Sequence, residues 1–177
     1  MKAERSNAKN TGKSVEKMLE AIHLEYRLRN IADLVKVDPP VSVLGGGFKR
    51  RVIFKPNPFL DYIGALRDGG RLLMIEAKST EKPTLPVGGE SGVTAKQLAA
   101  MKRWEAAGGL TAVFWYCFEK QSARILTIAD IEITLDHRKS VTWETAIEIP
   151  ETDGGGSFDY LPLIVKLDNL KSDDLDA

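Results

Sequence analysis

Cysteine is all but missing from this 177-residue chain, where Cys117 stands alone. That excludes an internal disulfide and a thiolate zinc site. Cys117 lies in the apolar run "TAVFWYCFE", where a small buried core side chain is the natural reading. No apolar run approaches the roughly 20 residues that a membrane-spanning helix needs. The opening "MKAERSNAKNTGKSVEK" has no apolar stretch of the signal-peptide kind, so no membrane partner is expected and the cytoplasm is the expected compartment. Net charge is also missing, since 25 Lys and Arg balance 25 Asp and Glu. Taken alone, that argues mildly against a polyanionic partner.

The charges are unevenly spread, however. Residues 1–55 hold 12 basic and 6 acidic side chains, and residues 56–177 hold 13 and 19. Such asymmetry points to a basic surface for a polyanion or to a basic arm without a partner. With 43% hydrophobic and 28% charged residues, the chain has the composition of one ordinary globular domain with a real core.

Residues 1–13 are polar and read as a flexible arm. Ser14 can cap a helix running to about Arg29, with Val15, Met18, Leu19, Ile22 and Tyr26 as its apolar stripe. "IADLVKV" reads as a strand stopped by Pro39-Pro40. Residues 41–58 form a glycine-hinged basic stalk or loop, with "RRVIF" as a short strand. A hairpin over 59–66 and 71–79 follows, and then the loop "EKPTLPVGGESG". Thr94 and Gln97 fit a capping box at the start of a helix that Gly108-Gly109 ends. "LTAVFWYCFE" and "ARILTIADIEI" read as two strands, "KSVTWETAI" as a short helix, and "TDGGGSFDYLPLIVKL" as a loop and closing segment. Residues 14–168 are then one domain and 169–177 an acidic tail. This order predicts an α/β fold, a mixed β-sheet flanked by helices.

The hairpin poses the chemical question, because Asp61, Glu76 and Lys78 stand among apolar neighbours. A two-residue type I′ turn at Asp68-Gly69 sets Asp61 directly opposite Glu76, with Lys78 on the same face. A turn at Gly69-Gly70 would instead set Asp61 opposite Lys78, with all three still on one face. Adjacent carboxylates repel in a partly dry site, and a hard dication relieves that repulsion. Mg²⁺ suits one or two carboxylates with its other positions left to water and phosphate oxygens. Lys78 would then orient a water or stabilise a crowded phosphate. An ordinary cross-strand ion pair fits the same spacing.

Asp61 followed by Glu76-Ala77-Lys78 resembles the PD-(D/E)XK nuclease motif. Within that superfamily residues 10–165 resemble the RecU-type Holliday junction resolvases, through "NTGKSVE", "LDYIGAL", "LLMIEAKST", "TAKQLAAMKRWEAAGGLTAVFW" and "FDYLPLI". The resemblance implies a restriction-endonuclease-like core and a homodimer that cuts four-way DNA junctions by paired, Mg²⁺-dependent nicks, with Mn²⁺ able to substitute. A recombinase would be a further partner. Asp61 and Glu76 would be metal ligands with the Ala77 carbonyl, and Lys78 would position the attacking water. Glu16 would approach the metal from the first helix. Gln97 would orient a water or phosphate, a role that competes with its capping box. Lys13, Lys49, Arg50, Arg51 and Lys55 would contact DNA. The chain departs from the family at Leu60, where a hydroxyl residue is frequent, and in the shorter stalk segment. Another repair or restriction nuclease of this superfamily, or a non-catalytic branched-DNA or recombinase-binding module, would share much of the pattern.

Overall fold

Helix α1 spans Lys2–Leu28 and starts well before Ser14. The polar segment expected as an arm is thus helical from its second residue. Its Lys, Ala, Glu and Arg are strong helix formers, and the cost of Gly12, about 1 kcal/mol relative to Ala, is outweighed by continuity with the packed second half. There Val15, Leu19, Ile22 and Tyr26 are buried, as the stripe predicts. Asn30, in the left-handed region (φ 55), turns the chain into the sheet.

The computed structural model describes residues 2–45, 51–54, 59–150 and 158–173. Its strands are β1 (Ala32–Lys36), β2 (Val41–Leu44), β3 (Arg51–Phe54), β4 (Tyr62–Leu66), β5 (Leu72–Thr80), β6 (Thr84–Pro86), β7 (Leu110–Cys117), β8 (Ser122–Leu126), β9 (Ser140–Thr142) and β10 (Ile147–Glu148). The remaining helices are α2 (Ala95–Ala106), α3 (Ile128–His137) and α4 (Leu161–Asp173). The main sheet runs β1-β4-β5-β7-β8-β10, and β5–β7 is its parallel pair, joined through α2. All other pairs in it are antiparallel, so the sheet is mixed as expected. Pairs β2–β3 and β6–β9 stand apart as two-stranded ribbons.

Helices cover both faces. Alternation along β5 sends Leu73 and Ile75 toward α1 and the start of α4, and Met74 toward α2 and α3. Strand β7 is buried throughout, and Cys117 lies within it, as a plain core residue should.

Several local expectations give way. The "TIAD" stretch after β8 is helical, because Thr127 caps α3 and Asp130 completes the capping box. That polar signature lies inside an apolar run and is easily read as strand. The loop after β5 contains β6, which pairs with β9 from the segment expected as a short helix; there only Trp143–Thr145 form a 3-10 turn. The closing segment becomes α4 and carries the chain to Asp173, past the expected tail start.

The hairpin keeps its register and changes its turn. Residues 67–70 form a four-residue loop with positive φ at Gly69 and Gly70, and Leu66 N–H donates to the Arg71 carbonyl at 2.8 Å. A two-residue turn centred at the same place would give the same pairing. Tyr62 accordingly faces Ile75, and Ile63 faces Met74. Gly64 has a packing role, since a Cβ there would lie 1.9 Å from the Asp33 carbonyl oxygen in β1.

Candidate active site

The site forms where β5 leaves the hydrophobic core. Met74 and Ile75 are 1% and 0% exposed, and the following Glu76 is 2% exposed, so the strand carries a carboxylate into a dry position. Asp61 comes one residue before β4. Its carbonyl accepts from Val37 N–H at 2.8 Å, and its Oδ2 accepts from Ala77 N–H at 3.0 Å. These bonds hold the Asp61 carboxylate beside that of Glu76.

Lys78 Nζ lies 2.7 Å from Glu76 Oε1. The same oxygen accepts from Gln97 Nε2, while Gln97 Oε1 accepts from Thr94 N–H at 2.9 Å. The capping box and a bond to Glu76 therefore coexist. A planar amide has two ends, and Gln97 uses its acceptor for the cap and its donor for Glu76. Burial, the Asp61 charge next, pushes the Glu76 carboxyl up to about 7, and Lys78 only partly offsets this.

Asp61, Ala77, Lys78 and Ser79 line a cleft of ≈ 80 Å³ whose other wall is α1, through Gly12, Val15 and Glu16. Glu16 lies in this wall and pairs with Lys36 Nζ at 2.6 Å. Lys36 is a cleft residue that sequence reasoning missed. The available signal was a lysine at the end of a mostly apolar strand, facing Tyr62, the neighbour of Asp61. Leu60 is fully buried in the α2-side core, so this position fills space and offers the site no polar group. Lys13 is exposed on α1 beside the cleft residue Gly12. Arg51 opens β3, opposite Leu44, while Lys49, Arg50 and Lys55 lie outside the described residues.

Among the described residues no group of three or more His, Cys, Asp or Glu converges as a metal cage. The donors present fit a different kind of ion. Two neighbouring carboxylates are hard oxygen donors, and burial together with the Asp61 charge raises the Glu76 carboxyl. Mg²⁺ suits such a set because it retains several waters. Among the described residues no helix is long and apolar enough to cross a membrane.

The family model described as Recombination protein U (RecU) matches residues 10–164. Comparison with curated proteins found no match. Among solved structures, the chain is similar to Hjc of Archaeoglobus fulgidus, a Holliday junction resolvase from an archaeal hyperthermophile. Identity is 14% and the TM-score 0.48, over 75% of this chain and 94% of that one.

Proposed function

The chain belongs to the RecU family of recombination proteins, and from that premise we propose that it is a structure-specific endonuclease that resolves Holliday junctions by metal-dependent paired hydrolysis. The observation that carries this reading is the pair of neighbouring carboxylates, Asp61 and Glu76, with Lys78 Nζ 2.7 Å from Glu76 at the edge of an open cleft.

In this reading Asp61 and Glu76, with the Ala77 carbonyl, hold Mg²⁺ or Mn²⁺. The bound ion supplies Lewis acidity and charge neutralisation at the phosphate. Lys78 is less buried than Glu76 and reaches toward the cleft, so its ammonium orients the attacking water and balances charge that builds on phosphate oxygens. Gln97 fixes the Glu76 carboxylate against α2, so that the ligand does not swing with its own rotamers. Glu16, held by Lys36, faces the metal position from α1. Lys13 and the basic β2–β3 segment, with Lys49, Arg50, Arg51 and Lys55, hold junction phosphates. Two symmetric nicks need two sites, which a homodimer supplies. A recombinase partner and a cytoplasmic location complete the proposal.

The test is a synthetic four-way junction incubated with Mg²⁺ or with chelator, every strand being mapped for nicks. Paired, symmetric nicks that vanish with chelator, and a linear duplex left whole, are expected. Equal cutting of the duplex would point to a general repair or restriction nuclease. Tight junction binding with no nicking in either Mg²⁺ or Mn²⁺ would overturn the catalytic reading in favour of a binding module.

A further inference from the structure

The two halves of α1 are built differently. Val15 is the first α1 residue in the hydrophobic core. Positions 2–14 carry no apolar residue larger than alanine, so this length of helix has little to bury against the sheet. Its pattern is electrostatic instead. Lys2, Arg5, Lys9, Lys13 and Lys17 recur at intervals of three or four residues, which places these positions on one helix face. Like charges four apart weaken a helix, and 5, 9, 13 and 17 form three such steps in a row. A row that repels itself in water is relieved by an anion with matching repeats.

Geometry names the anion. Lys13 and Lys17 are exposed, and Gly12 lines the cleft with Asp61 and Lys78. The row therefore leads away from the site where a phosphodiester would be cut. At 1.5 Å per residue, Lys2 and Lys13 stand about 16 Å apart along the axis, with one charge per roughly 5–6 Å. One strand of a duplex presents a phosphate every ~3.4 Å of axis, so successive charges of the row span between one and two phosphate steps.

We propose that the first half of α1 is a phosphate-binding arm whose basic row lies along the backbone of the duplex leaving the cleft. The inference rests on the reading of the cleft as a DNA-cleaving site, which supplies the partner's chemistry. Phosphates would cancel the repulsion within the row, so the arm becomes more firmly helical as it binds.

The test uses the full chain with Lys2, Arg5 and Lys9 replaced by Gln, which keeps helix propensity and removes charge. A control replaces Arg29, Arg103 and Lys166 by Gln, removing equal charge elsewhere. Binding to a four-way junction is measured in chelator across a NaCl series. The log–log slope should fall by roughly 2.7 in the arm variant, ~0.9 for each of three contacts, and stay put in the control. Amide exchange over residues 2–13 should slow when wild type binds DNA. An unchanged slope, an equal loss in the control, or no added protection would overturn the arm. Because binding is read without metal, arm-dependent binding by a protein that never nicks would overturn the nuclease reading and leave the arm standing. Nicking with an arm-independent slope would do the reverse.

Discussion

Both faces of β5 bury polar side chains, and they treat them in opposite ways. On the α1 face, His23 Nε2 meets the Tyr160 hydroxyl at 2.6 Å, and the His23 ring packs edge-on against Tyr62. The Tyr26 hydroxyl donates to Asp159 at 2.9 Å and accepts from Tyr160 N–H at 2.9 Å, which ties α1 to the start of α4. Burial drives the His23 imidazole down to about 4 and both phenols up, so these rings stay neutral near pH 7. On the α2 face, Glu76 is as deeply buried, yet beside the Gln97 amide it meets a lysine and the charge of a second carboxylate, Asp61. A fold that needs only stability buries neutral, partnered groups. Opposed carboxylates work against stability, and such violations cluster where chemistry uses them.

The comparison breaks most visibly at the carboxylates. Asp61→Asn and Glu76→Gln should each lower nicking of a four-way junction by about 10³-fold or more, worth ~4 kcal/mol of barrier, while junction binding persists. Near-normal nicking by either variant in Mg²⁺ would sink their assignment. Lys78→Ala should lose about 10²–10³-fold in rate, in the range of a removed oxyanion donor. It should still bind Mn²⁺ by calorimetry, because the lysine acts on water and phosphate; loss of binding in a folded variant would contradict that division.

Acidity sharpens the contrast. The Glu76 carboxyl is raised from 4.5 to about 7 on folding. Its stabilisation is therefore full below pH 4.5 and is lost as pH rises to about 7. The shift corresponds to at most about 3 kcal/mol. In chelator, Glu76→Gln should melt higher than wild type above pH 7, and the gap should close toward pH 4.5. His23 has the opposite sign: its contribution is present above 6.5 and lost as pH falls through about 4. That acid-side loss should persist in Glu76→Gln. Identical melting curves for the two proteins at pH 8 would refute the strained pair.

Smaller effects separate the remaining roles. Gln97→Ala removes a cap partner and the Glu76 donor together, so about 1 kcal/mol of stability should go along with roughly tenfold in rate. A stability loss with an unchanged rate would reduce Gln97 to its cap. Tyr160→Phe should cost about 1–2 kcal/mol by melting and leave the rate at saturating junction unchanged. A slowed reaction would mean that the α1 face serves catalysis as well.

Periodicity and turn chemistry make part of this protein legible without coordinates. The stripe Val15–Leu19–Ile22–Tyr26, the Thr94–Gln97 box and the hairpin register are local patterns, and local patterns survive folding. The register also tolerated an error in the turn, because a four-residue loop and a two-residue loop about the same centre pair the same residues. Local reading failed where a segment's character depends on distant partners. The stretch 128–133 looks like strand until Thr127 and Asp130 close the cap of α3, and 84–86 looks like loop until β9 pairs with it.

The site divides along the same line. By itself the sequence determined that two carboxylates and a lysine share one sheet face, since a strand alternates with period two whatever surrounds it. Only tertiary structure decided what each one meets. The crossover from β5 through α2 to the parallel β7 brings Gln97 onto Glu76, and the β1–β4 pairing brings Lys36 to Glu16 and the cleft. Those contacts join residues about 20 apart in sequence through sheet order and helix packing, which no local pattern encodes.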